Sequence, residues 1–272
     1  MISIISVGGN ITYSRFWDWE QYKPRFSNSW DEYRNSIWHR VGYVNWGYEA
    51  IGRFDSWEQI ANYPVDNDRK GNRTVVPGDI MYKDQNNDGV INYLDERPIG
   101  YRVDSTPTLN FGINLSASWK GFDLAMDWTG SGMTSWNQCY ETARPFQNDG
   151  NSPDEVLKDA WHLSDIWDAN SPLIPGKYPM VRLNTDETSA YDKSSYWLHN
   201  VTYLKLRNLE VGYTFPKTWL NRTGISNLRL FVSGTNLLTL SNLSVMDPEC
   251  ASDNGLDYPP MRVINIGVNL KF

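Results

Sequence analysis

Residues 262–272 constrain the fold more than any other stretch. They read Arg-Val-Ile-Asn-Ile-Gly-Val-Asn-Leu-Lys-Phe. Ile264, Ile266, Val268, Leu270 and Phe272 fall on one face at period two, and Val263, Asn265, Gly267, Asn269 and Lys271 on the other. Such alternation is a strand with one apolar and one mainly polar face. A soluble sheet ending on this strand would offer an unprotected edge for pairing. A membrane barrel abolishes the edge by closure, with its apolar face against lipid and its polar face against a wet lumen. Taken alone, the stretch also fits the last strand of a soluble β-sandwich.

The pattern recurs along the chain. It predicts strands at 5–15, 108–119, 122–130, about 200–215, 228–240 and 262–272, in an antiparallel meander. Lys120-Gly121 reads as a minimal hairpin turn. Asp123 and Asp127 alternate with Phe122, Leu124 and Met126, which suits a wet lumen better than a second packed sheet. Leu109, Phe111, Ile113, Leu115, Leu124, Met126, Ile264, Ile266 and Val268 are the expected outward residues. Between 205 and 209 the phase breaks, because Lys205 and Arg207 share parity with Leu209; a β-bulge there would restore it. Short helices are expected from Ser56, which has capping-box form, to about Pro64, and from 152 to about His162, with Ser152 as N-cap and Pro153 at the first position.

Connection lengths separate barrel from sandwich. The 120–121 turn and the 216–227 connection are short, whereas 17–106, 130–196 and 241–260 are long. Outer-membrane barrels put short turns on the periplasmic side and long loops outside. The expected fold is therefore all-β: an antiparallel transmembrane β-barrel segment whose long extracellular loops carry short helices. Six strands cannot close a barrel, since about eight is the least that does. Residues 1–272 are thus expected to be the C-terminal portion of a larger barrel. The opening residues show no basic start or cleavage site, and read directly as a strand.

Composition narrows the partners. A net charge of −7 argues against nucleic acid. Thirteen Trp and sixteen Tyr suit membrane interfaces and sugar-binding surfaces. No apolar run is long enough for a transmembrane helix. The outer aromatics, among them Trp17, Trp19, Trp30, Trp38 and Trp46, could stack on sugars or a partner, or pack loop on loop. Cys139 and Cys250 lack metal-ligand spacing, and nothing in the sequence pairs them.

One constellation carries chemistry. Residues 84–95 read Asp-Gln-Asn-Asn-Asp-Gly-Val-Ile-Asn-Tyr-Leu-Asp. Asp84, Asn86, Asp88, the Val90 carbonyl, Asn92 and Asp95 occupy positions one, three, five, seven, nine and twelve of a calcium loop. Gly89 sits where the chain must turn sharply, and Ile91 is the apolar anchor. A hard cation needs six or seven oxygens, and this spacing wraps them on one loop. Asp95 replaces the usual Glu, which makes bidentate ligation less assured. Ca²⁺ is expected over Mg²⁺, in a structural role; the bland alternative is an Asx-rich turn without metal. No catalytic residues are expected. His39, His162 and His199 are far apart in sequence, no nucleophile elbow occurs, and Asp165 with Asp168 reads as solvated charge rather than a glycosidase pair.

Several of these stretches together resemble one family. Residues 77–92 with 95–100, 107–112, 203–216 (Tyr-Leu-Lys-Leu-Arg-Asn-Leu-Glu-Val-Gly-Tyr-Thr-Phe-Pro), 228–240 with Ser233-Gly-Thr-Asn236, Asp247-Pro-Glu249 and 267–272 are similar to the last part of SusC/RagA-like TonB-linked outer-membrane proteins. The resemblance implies a 22-stranded plugged barrel in the bacterial outer membrane. It also implies nutrient transport: uptake of oligosaccharides (carbohydrate uptake) or peptides, with a SusD-like lipoprotein as lid. Energy would come from the TonB complex, through parts this sequence does not contain. A calcium-dependent surface glycan-binding or adhesion module is the alternative function.

Overall fold

The structure is a computed structural model and describes residues 4–102, 106–183, 187–221, 224–249 and 254–272. Six strands form one antiparallel sheet in chain order: β1 (Ile4–Tyr13), β2 (Leu109–Trp119), β3 (Phe122–Asn137), β4 (Leu198–Thr214), β5 (Asn227–Ser241) and β6 (Val263–Lys271). All six expected strands form, in the expected meander. β3 runs further than its alternation suggested, because its upper end pairs with Leu198, Asn200 and Val201 of β4. Lys120 and Gly121, at φ 49° and 93°, make the tight turn between β2 and β3.

The register aligns the apolar residues into rows that cross the whole sheet. Ile5, Ala117, Leu124, Val211, Val232 and Ile266 are successive cross-strand partners. Below them Trp119, Phe122, Tyr213, Leu230 and Val268 form the next row, and above them Val7, Leu115, Met126, Leu209, Gly234 and Ile264. The alternate rows are polar; one joins Ser6, Ser116, Ala125, Glu210, Ser233 and Asn265. None of the nine residues expected to face outward is buried.

The phase break in β4 is a register irregularity between Leu206 and Asn208, seen against both neighbouring strands. Leu206 and Leu209, three apart, oppose Trp128 and Met126, two apart. The extra residue puts Lys205 in a row with Thr129 and Thr239, on the polar face. The expected bulge is present.

The hydrophobic core lies elsewhere. The two long connections, 14–108 and 138–197, fold together at the upper end of the sheet. Tyr48, Ile80, Tyr82 and Ile91 from the first pack with Ala143, Val156, Tyr178, Tyr191 and Trp197 from the second. Main-chain bonds stitch them: Tyr48 donates to Lys193 at 2.9 Å, and Ser195 donates back to Tyr48 at 2.9 Å.

Among the described residues four short α-helices decorate the connections: α1 (Ser29–Asn35), α2 (Trp57–Ala61), α3 (Asp154–Lys158) and α4 (Lys217–Leu220). Ser56 caps α2 by accepting from the Gln59 N–H, as its sequence implied. The expectation for 152–162 needs correction. Pro153, not Ser152, is the N-cap, and the helix stops at Lys158. Tyr178 takes over the chain there, donating to the Asp159 carbonyl and accepting from Trp161 N–H, so His162–Leu163 leaves as a strand paired with Leu173–Ile174. The α1 helix was not read from sequence. Asn28 caps it by accepting from Asp31 N–H.

Candidate functional site

The 84–95 loop is held by its own side chains. Asp84 accepts from the N–H groups of Asn87 at 2.6 Å and Gly89 at 2.8 Å, and Asn86 accepts from Asp88 N–H at 3.0 Å. Asp88 accepts from Val90 N–H, and Asp95 from Gln85 and Asn92 N–H. Gly89 turns at φ +83°, where a side chain would be strained. Ile91 is fully buried beside Tyr82 and Trp197, as an anchor should be. Asp95, at position twelve, is also fully buried.

The donor set fits a hard cation. Asp84, Asp88 and Asp95 each bring a carboxylate oxygen within 4.8 Å of the others. Three carboxylates so close repel one another unless a cation or proton intervenes. Hydrogen bonds from Asn86, Val90 and Asn92 hold the exposed Asp88 carboxyl below the usual range, so it is charged and ready to ligate. Asn92 is the member turned away: its Nδ2 donates to Asp88 and to the Val90 carbonyl, and its Oδ1 caps Leu94 N–H. It would reach a cation through water or after an amide rotation.

This loop is built into the outer globule. The Asp66 N–H and C=O bond the Gly89 carbonyl and Ile91 N–H. The neighbouring Asn67, fully buried, donates to the Ile80 carbonyl and Ser189 Oγ and accepts from Tyr82 N–H. Asp68 folds the turn after it. Burial pushes its carboxyl up, but hydrogen bonds from Thr74 N–H and Oγ–H and from the Lys70 and Asn72 N–H groups outweigh burial and hold it at about 2. Asp79, buried, meets Arg182 at 2.5 Å across the two connections.

A second polar cluster escaped the sequence reading. It lies on the polar face of the sheet. Lys205, only 1% exposed, bonds both oxygens of Asp247 at 2.7 and 2.8 Å and Glu249 at 2.9 Å. Arg207 also reaches Glu249. Burial pushes the Glu249 carboxyl up, but these two cations outweigh it and leave it below the usual range. Leu243, with Val245 and Met246, packs on Trp136, Val201 and Tyr203 beside them. The start of the 242–262 connection is thereby strapped to the wall. Lower on the same face Arg229 bridges Asp123 and Glu210. A Cβ on Gly212 would sit 2.5 Å from that guanidinium, so a larger residue would make the bridge shift.

No family model matches the chain. It is 30% identical over 242 residues to TonB-dependent receptor P3 of Formosa agariphila, which covers 82% of this chain and 22% of that protein. It is 24% identical over 252 residues to TonB-dependent receptor SusC of Bacteroides thetaiotaomicron, covering 86% of this chain and 20% of that protein. Its fold is similar to a chain of the RagAB peptide transporter, with a TM-score of 0.62 and 20% identity over 99% of this chain and 27% of that one. The chain is similar to one part of the SusC-like TonB-dependent receptors. It spans about a fifth of the length of the curated relatives it matches. These relatives are receptors, not enzymes, and the protein is an outer-membrane protein.

In such a receptor the apolar rows face lipid, and the charged clusters face the lumen. The remaining candidate residues fall into packing roles. His39 lies against Trp19 and Trp38, His162 Nδ1–H donates to the Ala160 carbonyl, and His199 stacks on Trp136 and bonds Gln138. Asp165 and Asp168 each cap their own turn, by accepting from Trp167 and Asn170 N–H. Trp46 packs among Trp30, Tyr33 and Arg34, whereas Trp19, Trp38 and Trp167 stay exposed. Cys250 lies outside the described residues.

Proposed function

We propose that this chain forms part of the wall and outer rim of an outer-membrane importer, as the C-terminal portion of a TonB-dependent barrel. The cargo is an oligosaccharide or a peptide. A SusD-like lipoprotein covers the rim, and the TonB complex supplies energy through the rest of the receptor. One observation carries this reading: a single sheet whose apolar face suits lipid and whose other face is charged and hydrogen-bonded, with both large connections folded into one globule at one end. A wall of this kind encloses water and presents an ordered rim for capture. The 84–95 loop holds Ca²⁺ through Asp84, Asn86, Asp88, the Val90 carbonyl and Asp95, with Asn92 through water, and stiffens that rim.

The test is growth of a strain whose parent gene carries a short link in place of residues 17–106, on candidate glycans and peptides, with outer-membrane insertion verified. Loss of uptake with insertion retained supports the importer. Undiminished uptake of every substrate the intact receptor supports would refute a capture role for the rim and favour an adhesion module.

A further inference from the structure

We propose that the cleft between the outer ends of β1–β3 and residues 14–46 binds the acidic group of a uronate- or sulfate-bearing oligosaccharide; this rests on the importer reading and names its cargo. The cleft encloses about 760 Å³, a size that accommodates a small ligand. Arg15, Arg40 and Arg102 line it among aromatic rings, and among the described residues no Asp or Glu does. That is unexpected in a chain with 32 acidic and 25 basic side chains.

Three arginines of the same globule are answered by carboxylates, Arg34 by Glu96 at 3.1 Å, Arg69 by Asp192 at 2.8 Å and Arg182 by Asp79 at 2.5 Å, while Arg53 and Arg97 are taken up by main-chain carbonyls away from this cleft. Arg40 instead donates to the main-chain carbonyls of Tyr33 and Arg34 and lies over the Tyr33 and Trp46 rings. Arg15 lies over Trp17, 5.9 Å from the ring centroid. Among the described residues neither has a carboxylate at ion-pair distance. A guanidinium over a ring still directs N–H groups outward in its own plane, the arrangement that carboxylate and sulfate match in pairs. The neighbouring Trp and Tyr faces are platforms for the C–H faces of sugar rings. A neutral sugar would bring no counter-charge to Arg15 and Arg40. An extended peptide would want a strand edge of some length, and the ribbon here, Trp17–Asp18 with Arg40–Val41, is only two residues long on each side.

The experiment is titration calorimetry on the full-length parent receptor in detergent. Its probes are tetragalacturonate, a sulfated carrageenan tetrasaccharide, neutral maltotetraose and a tetraglutamate peptide. Arg15→Gln is the primary variant, because Arg15 is exposed and lies over Trp17. Arg15→Gln with Arg40→Gln is the second, and heat-modifiable mobility verifies folding of each. The expected result is binding of at least one acidic sugar that weakens about tenfold in Arg15→Gln and further in the double variant. It also weakens in about 0.5 M salt, and maltotetraose stays far weaker throughout. The two acidic sugars distinguish carboxylate from sulfate. The proposal is overturned if the receptor binds neither acidic sugar, if maltotetraose or tetraglutamate binds as tightly, or if folded Arg15→Gln binds unchanged. Growth on another substrate that still depends on the receptor would then leave the importer reading standing while this cleft assignment falls.

Discussion

The lower sheet and the outer globule follow opposite rules, although β3 and β4 run through both. Low on β3, Leu124 and Met126 lie in apolar rows with no hydrophobic cluster of the described residues packed beneath them, and none of the apolar side chains in those rows is buried. Higher up, Trp136 and Val201 are 4% and 2% exposed, and beyond them Trp197 is 2% exposed. The first region is stable only if the solvent is lipid, because none of the described residues covers its apolar face. The second brings its own interior and would hold in water. One strand pair thus crosses from one solvent into another, and the chain changes its strategy at that boundary.

The largest effect should come from emptying the globule's centre. Trp197 stacks on Tyr178 and Tyr191 and donates Nε1–H to the Ala190 carbonyl at 2.8 Å. Trp197→Ala should cost the globule about 3–5 kcal/mol. Limited proteolysis should then cut residues 46–100 and 138–197 while the barrel keeps its heat-modifiable mobility. Loss of both together would show that the two regions are one cooperative unit.

The lower sheet is tested by swapping faces. Val232→Arg, in an apolar row, should cost about 2–4 kcal/mol at mid-depth and reduce outer-membrane levels. Ser233→Arg, one residue on and facing the lumen, should change levels little. Equal damage at both positions would mean that both faces are packed, which would break the comparison.

At the boundary, Lys205→Met leaves Asp247 and Glu249 without their shared cation. About 1–3 kcal/mol should be lost, read as faster cleavage within 242–262 and not elsewhere. Calcium sharpens the contrast from the other side. Chelation should lower the globule's melting temperature by a few degrees, consistent with about 1–3 kcal/mol of ligand linkage, and leave the barrel transition in place. Asp84→Asn should remove the chelator's effect, and an intact receptor insensitive to chelation would argue for a metal-free turn.

The smallest effect concerns acid. Asp68 is held at about 2 in the fold, below its unfolded value near 3.9. Its stabilisation is therefore present above about pH 4 and is lost as the pH falls towards 2. Asp68→Asn should flatten that part of the globule's acid-stability curve without touching the barrel's.

The two regions also differed in how far they could be read. Strand positions were legible because every second residue of β2, β5 and β6 had to satisfy lipid, and lipid tolerates few exceptions. The bulge near Arg207 was legible for the same reason, as a break in phase. Ile91 and Gly89 were legible because the Asp/Asn spacing of 84–95 fixes a sharp turn and an apolar anchor by local geometry. The globule's partnerships were not. Asn67 bonding Ser189, and Asp79 meeting Arg182, join residues more than a hundred positions apart, and no local spacing announces them. The strap from Lys205 to Asp247 and Glu249 escaped for the same reason. The early end of α3 escaped because Tyr178, far along the chain, takes the backbone bonds that would have continued it.

The apolar rows also fix a length. They run from Tyr13 and Leu109 down to Trp119 and Phe122, ten steps along β2. At about 3.4 Å per residue and a tilt of about 35–45° these steps span roughly 24–28 Å of bilayer. An average bilayer core is about 30 Å thick, and the bacterial outer membrane is thinner. A thicker membrane would have to thin around this wall, at a cost that grows with every ångström of mismatch. The spacing between the row of Tyr13 and the row of Trp119 therefore acts as an address, matching the protein to the membrane of least deformation before any loop has met a ligand.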